Sequence, residues 1–103
     1  MAITSAVCSS FKQELLQGKH NFSSSSGDTF KIALFTSSAS LGASTTDYST
    51  SNEITNTSGT AYTAGGKALT NTGVGLTSTT AFTDFSDVSW TSASFTANGC
   101  MIY

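Results

Sequence analysis

The chain has 103 residues with no proline and no arginine; Ser and Thr fill 37 positions, and charged residues make up 10%. This length fits one domain, and seven Phe, three Tyr and one Trp separate the composition from that of a disordered chain. The net charge is −2 and the four lysines are scattered, so we do not expect nucleic acid as a partner. No run reaches the roughly 18 to 20 apolar residues of a membrane span, so we do not expect a membrane as a partner either.

The first predicted element is an amphipathic helix at about residues 5–17. Val7, Phe11 and Leu15 recur every four residues and form an apolar stripe. Gly18 stands where a helix often ends in a left-handed residue. Because a helix of this length is marginal alone in water, we expect the stripe to be buried against the strands that follow.

Cys8, Cys100 and His20 are the side chains best suited to redox or metal chemistry. A disulfide would close a loop of about 93 residues and contribute about 4.7 kcal/mol. For a protein made in the cytoplasm, free thiols are the favoured alternative. Two Cys and one His are too few for a structural zinc site, and a solvated His20 beyond the helix end is favoured over a catalytic base or ligand. We therefore expect no metal and no cofactor.

Residues 29–36, TFKIALFT, form the most apolar run in the chain and predict a central strand. Alternate side chains would share a face, with Phe30, Ile32 and Leu34 on one side and Lys31, Ala33 and Phe35 on the other. The second face also carries apolar side chains, so part of it has to be covered. The helix is the element expected to cover it.

The rest of the chain predicts short strands. A polar connection at residues 37–59 has little periodicity, and TAYTAGGKALTNTGVGL predicts strands around Tyr62 and Leu69 with a turn at Gly65 and Gly66. In the last segment the expected buried positions are Phe82, Val88, Trp90, Phe95 and Ile102. Together these signals predict a mainly β fold, a single β-sandwich domain over residues 1–103, with strands from about residue 29 and one N-terminal amphipathic helix packed on it.

No set of residues specifies a reaction. Asp84 and Asp87, three apart in a predicted strand, would point to opposite faces and could not share acid and base roles. AGGKAL lacks the spacing of a phosphate loop, and the many serines have only one histidine to serve them. We expect no catalytic residues and no enzyme, with a hydrolase the least favoured class.

Several segments together resemble small virion structural proteins of tailed bacteriophages, along the whole chain: MAITSAVCSSFKQELLQGKHNF, FKIALFTSSASLG, NEI, TAYTAGGKAL, DFSDVSW and SFTANGCMIY. The resemblance implies a non-enzymatic component of the particle, built as a β-sandwich and present in repeated copies. It would act as a capsid decoration or cement protein, or as a neck or tail subunit. The implied partners are other phage structural proteins and copies of itself, and the implied location is the virion, assembled in the host bacterial cytoplasm.

The proteins that this resemblance points to continue beyond CMIY into a further β segment. Three alternatives are open for the last residues: an edge strand, a strand completed by a neighbour, or the end of a piece of a longer protein. An apolar edge is a liability that proteins usually cover. We expect another subunit to bury this candidate edge, formed by Cys100, Met101, Ile102 and Tyr103.

An alternative function is a receptor-binding or carbohydrate-binding module of a phage tail or fibre. Such a module would use exposed Trp90, Tyr48 or Tyr62 as stacking platforms. Burial of these rings would argue against it. The alternation of aromatic and polar residues favours the core for all but Tyr48, which lies in the polar connection.

Overall fold

A computed structural model describes residues 3–54, 62–91 and 93–103. Its elements, in chain order, are helix α1 (Ser9–Leu16) and strands β1 (Lys31–Phe35), β2 (Lys67–Ala68), β3 (Asn71–Thr77), β4 (Thr80–Phe85) and β5 (Gly99–Ile102). The strands form two antiparallel sheets, one of order β2-β1-β5 and one the β3-β4 hairpin. The prediction of a mainly β chain with one N-terminal helix is confirmed.

Strand β1 is the central strand of the larger sheet, as its apolar run predicts. It pairs with β2 on one side and with β5 on the other, where Ala33 lies opposite Met101. Ala33 and Phe35 point to one face and are 0% and 1% exposed, whereas Lys31 at the strand start is exposed. The inner face of β1 is therefore the core of the domain.

The polar connection, and not the helix, covers this core. Ala39 is buried against Ala33 and Phe35, and Leu41, Tyr48 and Ile3 are among the partly buried side chains that pack around them. In the described part of the chain, no Cα atom of α1 lies within 8 Å of a Cα atom of any strand. The expectation that the helix packs on the strands is wrong, because the connection occupies the face that it would need.

Helix α1 is also shorter than the predicted span of residues 5–17. The Thr4 N–H donates to the Leu41 carbonyl at 2.9 Å, and the Ser9 N–H donates to the Ala43 carbonyl at 2.8 Å. The segment before Ser9 is held to the connection by these bonds and cannot close helical turns. The predicted end is confirmed, because Gly18 has φ 69° and its N–H bonds to the Leu15 carbonyl at 3.1 Å.

The apolar stripe is not buried within this chain. Val7 lies before the helix and is 54% exposed, and Leu15 is 42% exposed. Phe11 is half-buried, with its ring centroid 4.8 Å from that of His20 and 6.1 Å from that of Phe22. Burial of Val7 and Leu15 is therefore a wrong prediction for the single chain, since the surface that would cover them is absent from its described part.

The β3-β4 hairpin, called the arm below, stands away from the larger sheet. Its two strands turn at Ser78, which takes φ 55°. Across the described residues, no Cα atom of β3 or β4 lies within 8 Å of one in the three-stranded sheet. Phe85, at the base of the arm, meets Phe30 edge to face at 5.9 Å. The arm is thus joined to the body by its base.

Several side chains expected in the core lie at the surface. Phe82 is 47% exposed and Ile102 is 52% exposed, while Val88, Trp90 and Phe95 are half-buried. Phe82 lies across Gly75 on the neighbouring strand, where a Cβ atom would come within 2.5 Å of the ring. The arm therefore packs an aromatic ring on its own glycine instead of on the body.

Candidate functional site

A buried carboxylate lies at the centre of the polar connection. Glu53 is 7% exposed and accepts hydrogen bonds from the Tyr48 and Tyr62 hydroxyls. It also accepts one from the Gly65 N–H at 2.7 Å. Three donors thus compensate for the removal of this charge from water.

Tyr103 completes this group, and we call Tyr48, Glu53, Tyr62 and Tyr103 the tyrosine cluster. The Tyr103 ring stacks on Tyr48 at 4.2 Å, and its hydroxyl donates to the Gly65 carbonyl at 2.7 Å. The Tyr62 hydroxyl accepts from the Leu34 N–H at 3.0 Å. The cluster therefore fastens the connection, the glycine turn, β1 and the end of β5 to one another.

The chemistry of this cluster is that of a structural centre. Its carboxylate is enclosed and hydrogen-bonded, and its hydroxyls point at protein groups. Over residues 3–54, 62–91 and 93–103, no three His, Cys, Asp or Glu side chains are placed to hold a metal ion. Asp84, an exposed residue of β4, accepts from the N–H of Phe85 at 2.8 Å through its side chain.

Stability is expected to fall at alkaline pH because of this cluster. Burial, the hydrogen bond to Glu53 and the charge of Glu53 raise the pKa of both Tyr48 and Tyr62, and burial with the Glu53 charge raises that of Tyr103. Because the pKa values are raised in the folded state, stability is unchanged below about pH 10, the pKa of free tyrosine. Stability then falls as the pH rises above that value. Each tyrosine held protonated should cost about 1.4 kcal/mol per pH unit.

Urea unfolding at pH 8, 10 and 11, with absorbance of tyrosinate followed in parallel, measures this effect. The three tyrosines of the chain should ionise together with loss of structure. Tyr103→Phe should flatten the decline, because it removes one of the three groups. Ionisation of all three near pH 10 with unchanged circular dichroism would contradict the arrangement.

The three aromatic residues considered as stacking platforms are engaged inside the chain. Tyr62 is 1% exposed, and Tyr48 is stacked on Tyr103. Trp90 is half-buried, stacks on Tyr62 at 5.8 Å and has the Lys67 ammonium 5.2 Å from its ring centre. Tyr48 and Trp90 are both half-buried and keep part of their surface exposed.

Strand β5 is an edge strand of the larger sheet. Tyr103 and Lys31 exchange both backbone hydrogen bonds, at 2.7 and 2.9 Å. In an antiparallel ladder the alternate residues then point away, so Cys100 and Ile102 direct their N–H and C=O groups outwards. Among the described strands, β1 is the sole partner of β5. This outer side offers hydrogen-bonding groups to another strand.

A groove of about 760 Å³ runs beside β5. We call it the edge groove. Its walls come from the N-terminal segment and α1, from the aromatic residues before β1, from the polar connection, from the base of the arm and from β5. The apolar side chains among them include Ile3, Val7, Phe11, Phe22, Phe30, Phe85, Met101 and Ile102. Glu14, His20 and Asp47 are the ionisable groups in the lining besides Cys8, Tyr48 and Cys100.

One face of the arm continues the surface of the edge groove. Thr83 lines the groove and lies opposite Val74, and Leu76 lies opposite Ala81 on the same face. Val74 and Leu76 are 65% and 71% exposed. An apolar surface therefore extends from the groove along the arm.

Some of the predicted site residues line the edge groove, and one belongs to the tyrosine cluster. Val7 and Phe11 line the edge groove, and Leu15 does not. Of the candidate edge, Cys100, Met101 and Ile102 line the groove, but Tyr103 belongs to the tyrosine cluster, and Met101 also packs against the core. Cys8 and Cys100 are both free thiols.

Sequence reasoning missed Glu53 and the arm. The signal for Glu53 was available, since Glu53 and Ile54 form a short charged and apolar interruption in a Ser/Thr-rich stretch, with tyrosines on both sides. The alternation of Gly73, Val74, Gly75 and Leu76 was the signal for a two-sided hairpin.

Comparisons with protein families, with curated proteins and with solved structures find no match to this chain. Separately, no helix in the described ranges is long and apolar enough to cross a membrane.

Proposed function

We propose that this chain is a non-enzymatic structural component of a tailed bacteriophage particle. It would be present in repeated copies, as a capsid decoration or cement protein or as a neck or tail subunit. The resemblance of its segments to small virion proteins supports this function. Its partners would be other structural proteins of the particle and further copies of the chain.

The observation that carries the proposal is the open side of β5 beside the edge groove. Edge strands with unpaired backbone groups invite pairing, and natural proteins cover or disable them. Here the edge lies next to apolar walls and carries an exposed Ile102. Assembly with other subunits would cover both the backbone groups and the apolar surface.

A finer architecture belongs to the same proposal: a β-sandwich in which the larger sheet is one layer and the arm contributes to the other once further subunits cover its exposed faces. Both sheets are antiparallel, and an aromatic contact between Phe30 and Phe85 joins them. Subunits added in the particle would bring further apolar surface against the arm.

Particle analysis tests the function. Virions from a culture that carries the gene would be purified by density gradient, and the chain would be quantified by mass spectrometry against the major capsid protein. We expect the chain to co-purify in a fixed ratio, and electron microscopy to place it at repeated positions. Recovery of the chain only in the soluble lysate, with particles intact, would reject the proposal.

A receptor-binding or carbohydrate-binding module is the second candidate. The partly exposed Trp90 with the Lys67 ammonium near its ring is the observation that favours it. Trp90→Ala should then abolish adsorption of the phage to its host while particle composition stays the same. Under the structural role, this change leaves adsorption intact.

A further inference from the structure

We propose that the arm of a second copy of this chain lies in the edge groove, with its Val74 and Leu76 face against the groove wall and one strand beside β5. This inference deepens the proposed function and rests on it for the assumption that copies of the chain meet.

The arm has the composition that an apolar groove accepts. Between Asn71 and Phe85 the one charged residue is Asp84, next to the base of the arm. Burial of a charge without a partner is costly, so an uncharged hairpin enters such a groove at a lower cost than a charged segment. Val74 and Leu76 supply the apolar side chains, and both are exposed in the single chain.

The edge groove offers the complementary features. Phe11, Phe22 and Val7 line it with apolar surface. The backbone groups of Cys100 and Ile102 face outwards along β5, where no described strand pairs with them. A strand added beside an edge strand gains main-chain hydrogen bonds, while its alternate side chains enter the adjoining pocket. The arm is already an extended hairpin, so little ordering is needed before it binds.

The arm and the groove form one continuous patch, through Thr83. Two copies related by a twofold axis can therefore exchange arms, each arm lying in the groove of the other chain. The chain as a whole exposes more surface than is usual for a monomer of its mass. The chain exposes 6758 Å², whereas the scaling for monomers of 10.6 kDa gives about 5,500 Å². The excess exceeds the roughly 800 Å² per partner of a standard interface.

Molar mass in solution is the first test. The purified chain should sediment at twice its 10.6 kDa mass or a higher multiple at micromolar concentration. Leu76→Lys should shift it to the monomer, with the dissociation constant of the dimer raised at least tenfold. Thr80→Lys is the matched control, because it places the same charge on the opposite face of the same arm. Circular dichroism checks that both variants are folded.

The proposed contact between the arm and the edge groove is supported if Leu76→Lys dissociates the assembly, whatever its size, and Thr80→Lys leaves it intact. A wild-type chain that is monomeric at 100 µM, on the order of the concentration at which weak interfaces still form, overturns it. Equal effects of the two lysines also overturn it.

Cross-linking tests which surfaces meet. Cys100 lines the groove, and so does Cys8, so the experiment uses a Cys8→Ser background. Mild oxidation of Leu76→Cys in this background should give a disulfide-linked dimer joined through Cys100. Thr80→Cys should give at least tenfold less. Equal yields would reject the orientation of the arm.

These results are separable from the proposed function. A chain that is monomeric by mass and cross-linking but present in a fixed ratio in virions rejects arm exchange alone. A chain that exchanges arms but is absent from virions rejects the phage role alone.

Discussion

Replacing Gly66 with alanine is expected to destabilise the chain by about 3 to 5 kcal/mol, through overpacking and a strained backbone. A Cβ atom there would lie 1.8 Å from the Ile32 carbonyl oxygen and 2.9 Å from the Ala33 Cα, both rigid parts of β1. Gly66 also has φ 77°, which disfavours a side chain. Thermal unfolding should show a loss of at least about 12 °C.

Gly65→Ala is the matched control for this change. It lies next to Gly66 and has φ 94°, but the nearest atom to its Cβ is the Tyr103 hydroxyl at 3.5 Å. The control keeps the backbone strain and omits the collision, so about 1 to 2 kcal/mol is expected. Equal losses for the two variants would show that β2 does not lie against β1 as described.

Replacing Glu53 with alanine is expected to cost about 3 to 5 kcal/mol. The change leaves two tyrosine hydroxyls and the Gly65 N–H without their acceptor, and each unsatisfied buried group costs about 1 to 3 kcal/mol. The free energy of unfolding of a domain of this size is about 5 to 15 kcal/mol, so this change removes a large share of the stability. Urea unfolding at pH 7 measures the change.

Glu14→Ala is the control, because Glu14 and Glu53 are the only glutamates in the chain. Glu14 is 41% exposed and pairs with His20 at 2.8 Å, and a surface pair of this kind is worth at most about 1 kcal/mol. Glu53→Gln separates charge from hydrogen bonding, since an amide oxygen still accepts but its NH₂ group faces the same donors. A Glu53→Ala variant as stable as Glu14→Ala would exclude the cluster as a stabilising centre.

Local signals in the sequence were sufficient for some elements. The apolar run around Ala33 predicted the central strand, because a strand buried between two others needs nonpolar side chains at successive positions. Gly18 predicted the end of the helix, and Gly65 with Gly66 predicted a turn, where the Gly66 N–H bonds to the Thr63 carbonyl at 2.9 Å. In each case the cause is local backbone geometry.

Other features depend on contacts between distant residues. The polar connection predicted no structure, yet Ala39 and Ile54 are buried within it, because the face of β1 required a cover. The helix is short for the same reason, since the segment before it bonds to the connection. No local sequence pattern specifies which segment covers which face of β1. The edge groove forms as it does because the polar connection covers that face and α1 does not.

The pairing partners of β1 imply an order of events during folding. Its neighbours β2 and β5 begin at residues 67 and 99, so the larger sheet closes long loops, whereas β3 and β4 are joined by a two-residue turn. Loop closure slows the formation of non-local sheets, and hairpins form within about 1 to 10 µs. The hairpin would therefore already be present while the larger sheet of its own chain is incomplete. Under the proposed exchange of arms, each hairpin would be ready to pair with a second chain before β5 of its own chain has joined β1.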